Sequence, residues 1–142
     1  MDKANYTEIN REAWNQVAKL HQKASKEKLI TQVQLEDFST LDPVEKEIFN
    51  NMSLKGKKVA QLCCNNGQEL ISVIKSGAEA GVGFDISDEA ISEAKEYAGL
   101  ASVNCDFIRT NIYEISNEFN NSFDIVYITV GTLLLGNTLF SV

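Results

Sequence analysis

Proline, histidine and cysteine are scarce in this chain, and each scarcity excludes a class of protein. One Pro and eight Gly, with no low-complexity tract and no repeat, exclude a linker or a solenoid and leave a compact domain. Of the three Cys, Cys63 and Cys64 are adjacent and Cys105 is left over, and His21 is the one imidazole. Neither a disulfide framework nor a Cys/His zinc site can be assembled from that set, so reduced thiols and no metal are expected. No apolar run approaches the roughly 20 residues that cross a bilayer, and the opening MDKANYTEINRE is too polar for a signal peptide. A soluble, cytoplasmic protein without a membrane partner is the expectation. Basic charge is also short: 13 Lys and Arg face 20 Asp and Glu, a net charge of -7. That balance argues against a nucleic-acid sleeve held by phosphate contacts.

What is present is enough for one core. Apolar side chains make up 44% of 142 residues, which supports a single domain of moderate size. The charge is uneven: residues 1 to 58 hold 10 bases and 9 acids, while residues 59 to 142 hold 3 bases and 11 acids. Ile9, Ala13, Trp14, Val17 and Leu20 recur at spacings of three and four, which predicts a helix over Asn5 to Leu20 with that stripe packed inward. A second helical stretch is read over Ser25 to Leu35. Asp42-Pro43-Val44-Glu45 then predicts a helix start, with Asp42 as N-cap, Pro43 in the first turn and Glu45 reaching back, and a helix running to about Met52.

Beyond Gly56 the period changes. Lys57 to Leu62 reads as a strand ending in the tight loop Cys-Cys-Asn-Asn-Gly, followed by a helix through Leu70, Ile71, Val73 and Ile74 that Gly77 terminates. Ala80 to Asp85 is a second strand, Asp88 to Ala98 a helix capped by Ser87 and ended by Gly99, Val103 to Arg109 a third strand, Ile112 to Phe119 a short helical turn, and Phe123 to Val130 a fourth strand. Strands alternating with helices predict right-handed parallel units and a doubly wound α/β sheet, with its ligand at the carboxyl ends of the strands.

Four segments at those strand ends carry the chemistry. VAQLCCNNGQEL spans the first strand, its loop and the next helix start; GVGFDIS places Asp85 at the end of the second strand, where a carboxylate can accept both hydroxyls of a ribose; FIRTNI follows the third strand and FDIVY forms the fourth. In order and spacing these segments resemble the class I S-adenosylmethionine-dependent methyltransferases, whose motifs run D-L-G-C-G-T-G, G-V-D-I-S, G-D-A and F-D-V-V. The resemblance covers Val59 to Gly131. It implies a Rossmann-like sheet of about four strands in residues 55–142, with residues 1–54 as an N-terminal helical cap of the same structural unit.

The resemblance also implies roles. Gln61, Cys63, Cys64, Asn65 and Gly67 would form the loop beneath the methionine part of S-adenosylmethionine, with S-adenosylhomocysteine as product. Asp85 would hold the ribose, Ile86 would lie on the adenine, Asn111 with the Ile112 backbone would read the adenine edge, and Thr129 with Val130 and Gly131 would border the methyl-transfer site. Tyr6 and Trp14 of the cap would close over the cofactor, with Trp14 as plain core the equal alternative. In that family an acid often stands at Gln61 and glycines at Cys63 and Asn65.

A full domain of the family continues with about three more strands, so a domain truncated after its fourth strand is expected, with two copies pairing through Phe123 to Val130 or the tail folding over that edge. The implied reaction is methyl transfer to an acceptor expected to be a small molecule. The alternatives are an inactive, truncated domain that binds cofactor or only self-associates, and a nicotinamide-binding domain, which wants a G-x-G-x-x-G that Cys63 to Gln68 does not supply.

Overall fold

A computed structural model describes residues 3–128, apart from the side chains of residues 21–25. Helix α1 runs from Lys3 to Gln32 without a break. The two separate helices expected here are therefore one, because no Gly or Pro interrupts these 30 residues. Helix α2, Pro43–Asn51, begins as its sequence dictates: the Glu45 N–H donates to Asp42 Oδ1 at 2.8 Å and the Asp42 N–H donates to Glu45 Oε1 at 3.3 Å. Strand β1 (Lys58–Leu62), α3 (Gln68–Lys75), β2 (Ala80–Asp85), α4 (Asp88–Ala101), β3 (Cys105–Arg109) and β4 (Ile125–Ile128) follow.

Four elements differ in their bounds from the sequence reading. Helix α4 passes through Gly99 and ends at Ala101, where Ser102 takes the left-handed cap at φ 54°. The turn over Ile112 to Phe119 is two short 3-10 turns, Ile112–Glu114 and Asn117–Phe119, capped separately by the side chains of Asn111 and Ser116. Strands β3 and β4 begin at Cys105 and Ile125, two residues later than expected, and Thr129 to Val142 lie outside the described residues.

The sheet is parallel throughout, in the order β3-β2-β1-β4. The chain leaves β1 toward β2 and β3, then returns to its other side for β4, so the order reverses between β1 and β4. This partial, Rossmann-like doubly wound sheet is the expected fold class. One face of the sheet carries Val59, Gln61, Gly81, Gly83, Phe107 and Tyr127, and α2, α3 and α4 pack on it. On the other face Phe84 is buried between Phe119 and Phe123, with edge-to-face ring distances of 5.2 and 6.4 Å. The apolar core is shared across the whole described chain: Leu29, Val33, Phe38, Leu41 and Phe49 join Val59, Leu70, Ile71 and Tyr97 in one cluster.

The predicted inward stripe of α1 is corrected by the packing. Ile9, Val17 and Leu20 are 49%, 37% and 68% exposed, Ala13 is exposed too, and only Trp14 of the five is half-buried. Helix α1 instead turns Arg11, Trp14, Asn15 and Ala18 toward α4. It is held there by polar pairing: Arg11 with Asp88, Lys19 with Glu89 at 3.9 Å, and Lys26 with Glu96 at 3.1 Å. The inner face of α1 mixes Arg11 and Asn15 with Trp14, Ala18 and Leu29, so a purely apolar spacing does not register it and the stripe points the wrong way.

Candidate functional site

The carboxyl ends of β1, β2 and β3 are tied together by one residue. Asp85 closes β2, and its Oδ2 accepts the Asn65 N–H from the loop after β1 at 2.8 Å. Its Oδ1 accepts the Ser87 N–H at 2.9 Å, and its carbonyl accepts the Thr110 N–H at the end of β3 at 2.8 Å. Burial pushes the Asp85 carboxyl up from its ordinary value, and the N–H groups of Ser87 and Asn65 pull it back. The backbone N–H groups of Ser87, Asn65 and Ile86 do not exhaust the roughly four lone pairs of a carboxylate, so acceptor capacity for a hydroxyl donor is left.

The loop after β1 is shaped by left-handed backbone. Cys63, Asn65 and Gly67 adopt φ 54°, 52° and 80°, at the very positions of three loop glycines in the resembled motif. Asn bears this conformation readily, whereas Cys63 carries a cost of roughly 1–2 kcal/mol for an L-residue. Gly67 is required on a second ground, since a Cβ there would lie 2.6 Å from Phe107 Cζ and 3.0 Å from Ala94 Cβ. The loop closes with the Gly67 N–H donating to the Cys64 carbonyl at 3.0 Å, and α3 begins at the next residue.

Cys64 is buried, and burial with the nearby Asp85 charge raises its thiol well above the usual range. Cys63 is pushed up to about 12 by the same two causes. Both thiols are therefore kept protonated, the opposite of a nucleophilic cysteine.

The remaining expected residues fall around this hub. Gln61 is buried on β1, Ile86 follows Asp85 and is half-buried, and Ile112 is half-buried at the start of the first 3-10 turn. Asn111 Oδ1 accepts the Tyr113 N–H at 3.0 Å as the cap of that turn, which leaves it one open lone pair and its amide donors. Tyr6 is 68% exposed. Thr129, Val130 and Gly131 lie outside the described residues.

Three features were not legible in the sequence. Asn15 of α1 reaches across to the β2–α4 turn, where its Oδ1 accepts from Ser87 Oγ at 2.6 Å and from the Glu89 N–H at 3.3 Å. Behind the loop, Asn66 donates to the buried Glu93 at 3.4 Å, and Tyr97 donates to the same carboxylate oxygen. Beside Gln61, the half-buried Glu69 in the first turn of α3 accepts from Gln61 Nε2 at 3.1 Å and is pushed up to about 7, chiefly by burial and then by Glu45.

Comparison with known proteins agrees with this geometry. A family model described as a methyltransferase domain matches residues 59–137, more than half of the chain. A Methanocaldococcus jannaschii protein provisionally named a protein N5-glutamine methyltransferase is 32% identical over 88 residues, 60% of this chain and 43% of that protein. A Thiobacillus denitrificans S-adenosylmethionine-dependent methyltransferase, solved with S-adenosyl-L-homocysteine, superposes with a TM-score of 0.56 at 18% identity, covering 77% of this chain and 45% of its own. A Methanococcus maripaludis structure, provisionally named an S-adenosylmethionine-dependent methyltransferase, gives 0.64 at 14% identity over 87% and 53%. At such identities the structural likeness shows the fold. The chain spans about half the length of these relatives.

Proposed function

Since the chain belongs to the methyltransferase-domain family and has the class I S-adenosylmethionine-dependent methyltransferase fold, we propose that it is the cofactor-binding portion of an S-adenosylmethionine-dependent methyltransferase acting on a small molecule. The observation that carries this reading is Asp85, whose carboxylate is braced by two backbone N–H groups at the ends of three parallel strands and retains acceptor capacity. That donor set fits a ribose, whose hydroxyls supply what the carboxylate lacks. The left-handed loop from Cys63 to Gly67 fits the amino-acid end, because it brings backbone rather than long side chains to the mouth of β1.

When bound, the cofactor supplies a methyl group already activated by its sulfonium. The work left to the chain is positioning, which is worth several kcal/mol of barrier when the reacting atoms are held in line. In this proposal Asp85 fixes the ribose, Ile86 lies on the adenine, Asn111 with the Ile112 backbone reads its edge with the acceptor capacity its cap leaves over, and Thr129 borders the transfer. Cys63 and Cys64, held protonated, take no part as nucleophiles. The cap proposed over residues 1–54 supplies a wall through Asn15, which is anchored on the turn that follows Asp85.

A small-molecule acceptor is favoured by the charge of residues 59 to 142, 3 bases against 11 acids, which repels an anionic polymer. The archaeal relative is named for a protein glutamine acceptor, so acceptor assays are run on both a metabolite pool and intact protein. Two copies pairing through β4, at one margin of the described sheet, belong to the same proposal and are read by sedimentation.

Calorimetric titration with S-adenosylmethionine and S-adenosylhomocysteine, with NADH as control, tests the reading. Binding of both sulfur compounds, no response to NADH, and loss of binding in a folded Asp85→Ala protein are expected. Equal binding with and without Asp85 would reject it.

A further inference from the structure

A polar group sits under the loop after β1 with more acceptors than donors. Gln61 is 1% exposed, and while its Nε2 donates to Glu69, its Oε1 is buried and has no hydrogen-bond partner among the described residues. Tyr127 stands opposite Gln61 in the β1–β4 register, its ring set edge-on against Phe49 of α2 at 5.2 Å, and its hydroxyl oxygen is also buried without a partner. Buried polar atoms are costly to leave unpaired, so two in register on neighbouring strands point to a donor from elsewhere.

The charges around the group have one sign. Glu69 faces Glu45 and Asp42 from α2, and the Tyr127 phenol feels Glu69 and Glu45 from its side. Among the described residues no Lys or Arg forms an ion pair with Glu69. A carboxylate half-buried beside other acids is costly to ionise unless a cation joins it, and burial accordingly lifts Glu69 to about 7. Nor do the described residues offer a group of three or more His, Cys, Asp or Glu fit for a metal ion. A primary ammonium, with one positive charge and three N–H donors, matches the Glu69 carboxylate, Gln61 Oε1 and the Tyr127 oxygen in number and in charge.

Gln61 lies two residues before the left-handed turn at Cys63 and Glu69 two residues after Gly67, so the pair grips both ends of the loop assigned to the amino-acid part of the cofactor. Building on the proposed function, we infer that Glu69, with Gln61 and Tyr127, receives the α-ammonium of the cofactor. The counter-charge that the amide of Gln61 cannot give comes instead from the first turn of α3.

Two probes separate this inference from the reading beneath it. S-adenosylhomocysteine carries the ammonium, and 5′-methylthioadenosine keeps the adenosine and thioether without it. Glu69→Gln is expected to weaken S-adenosylhomocysteine by about 10-fold or more, the usual loss for a charged hydrogen bond, and to leave 5′-methylthioadenosine within about 2-fold. Titration at pH 7 in buffers of different ionisation enthalpy adds a readout that a structural role would not move. Wild type should release a fraction of a proton per S-adenosylhomocysteine as the ammonium drives Glu69 to ionise, and should release none with 5′-methylthioadenosine.

If Glu69→Gln does not fold, the exchange Gln61→Glu with Glu69→Gln keeps one carboxylate and one amide in contact and should recover selective binding of S-adenosylhomocysteine. Equal weakening of both probes by Glu69→Gln, no weakening of either, or binding without proton release overturns the inference. Failure of the wild type to bind even 5′-methylthioadenosine overturns the functional reading itself.

Discussion

Gly67→Ala isolates the packing that shapes the candidate site. At φ 80° an alanine meets left-handed strain of roughly 1–2 kcal/mol, offset by about 0.4–1 kcal/mol because the unfolded chain loses freedom. The new Cβ would also press into the Phe107 ring at 2.6 and 2.8 Å, an overpacking worth about 1–3 kcal/mol. The expected loss is therefore about 1–4.5 kcal/mol, a large part of the roughly 5–15 kcal/mol that holds such a domain. Gly56 is the control, since its φ of 74° imposes similar strain while its Cβ would meet nothing within 4 Å. Gly56→Ala should cost no more than about 1.5 kcal/mol. Urea unfolding of both variants, each alone and with Phe107→Leu, measures the clash directly. Phe107→Leu should reduce the Gly67→Ala cost toward that of Gly56→Ala; equal costs at the two glycines, or no relief from Phe107→Leu, would refute the packing account.

Other perturbations test the supports of the site. Asp42→Ala removes the capping box of α2 and should cost about 1 kcal/mol by urea denaturation, with a milder loss for Asp42→Ser, which still caps. Asn15→Ala strips the β2–α4 turn of its partner from α1 and should cost about 1 kcal/mol, with faster amide exchange at Glu89 than at Ile71 as the local sign. Because the folded pKa of Glu69 stands above its unfolded value, its contribution is present at low pH and is lost as pH rises from about 4.5 to about 7. The stability of wild type should fall across that window relative to Glu69→Gln, whose profile should be the flatter; parallel profiles would contradict the assignment.

Strand–helix alternation beyond Gly56 was legible because each strand is short, bounded by turn residues and followed by a capped helix, and its β1, β2 and α2 boundaries fall within a residue of the structure. Asp85 was legible for the same reason, as the last residue of a strand in a recognisable segment. The long α1 was misread in its packing because its inner face mixes Arg11 and Asn15 with Trp14, Ala18 and Leu29, and purely apolar periodicity does not register such a face. Gly99 was misread as a helix end because a glycine signals a stop only where left-handed backbone is needed, and here Ser102 takes that conformation. The Gln61–Glu69 contact depends on how tightly the loop at Cys63 to Gly67 folds back, which a linear pattern does not encode.

The proposed cofactor site occupies one location, the mouth of β1, β2 and β3. Amide hydrogen exchange of the chain with and without S-adenosylhomocysteine tests it most directly. Added protection concentrated in residues 61–69, 85–87 and 110–113 is predicted, and protection elsewhere, or none in a folded sample at saturating ligand, would contradict it.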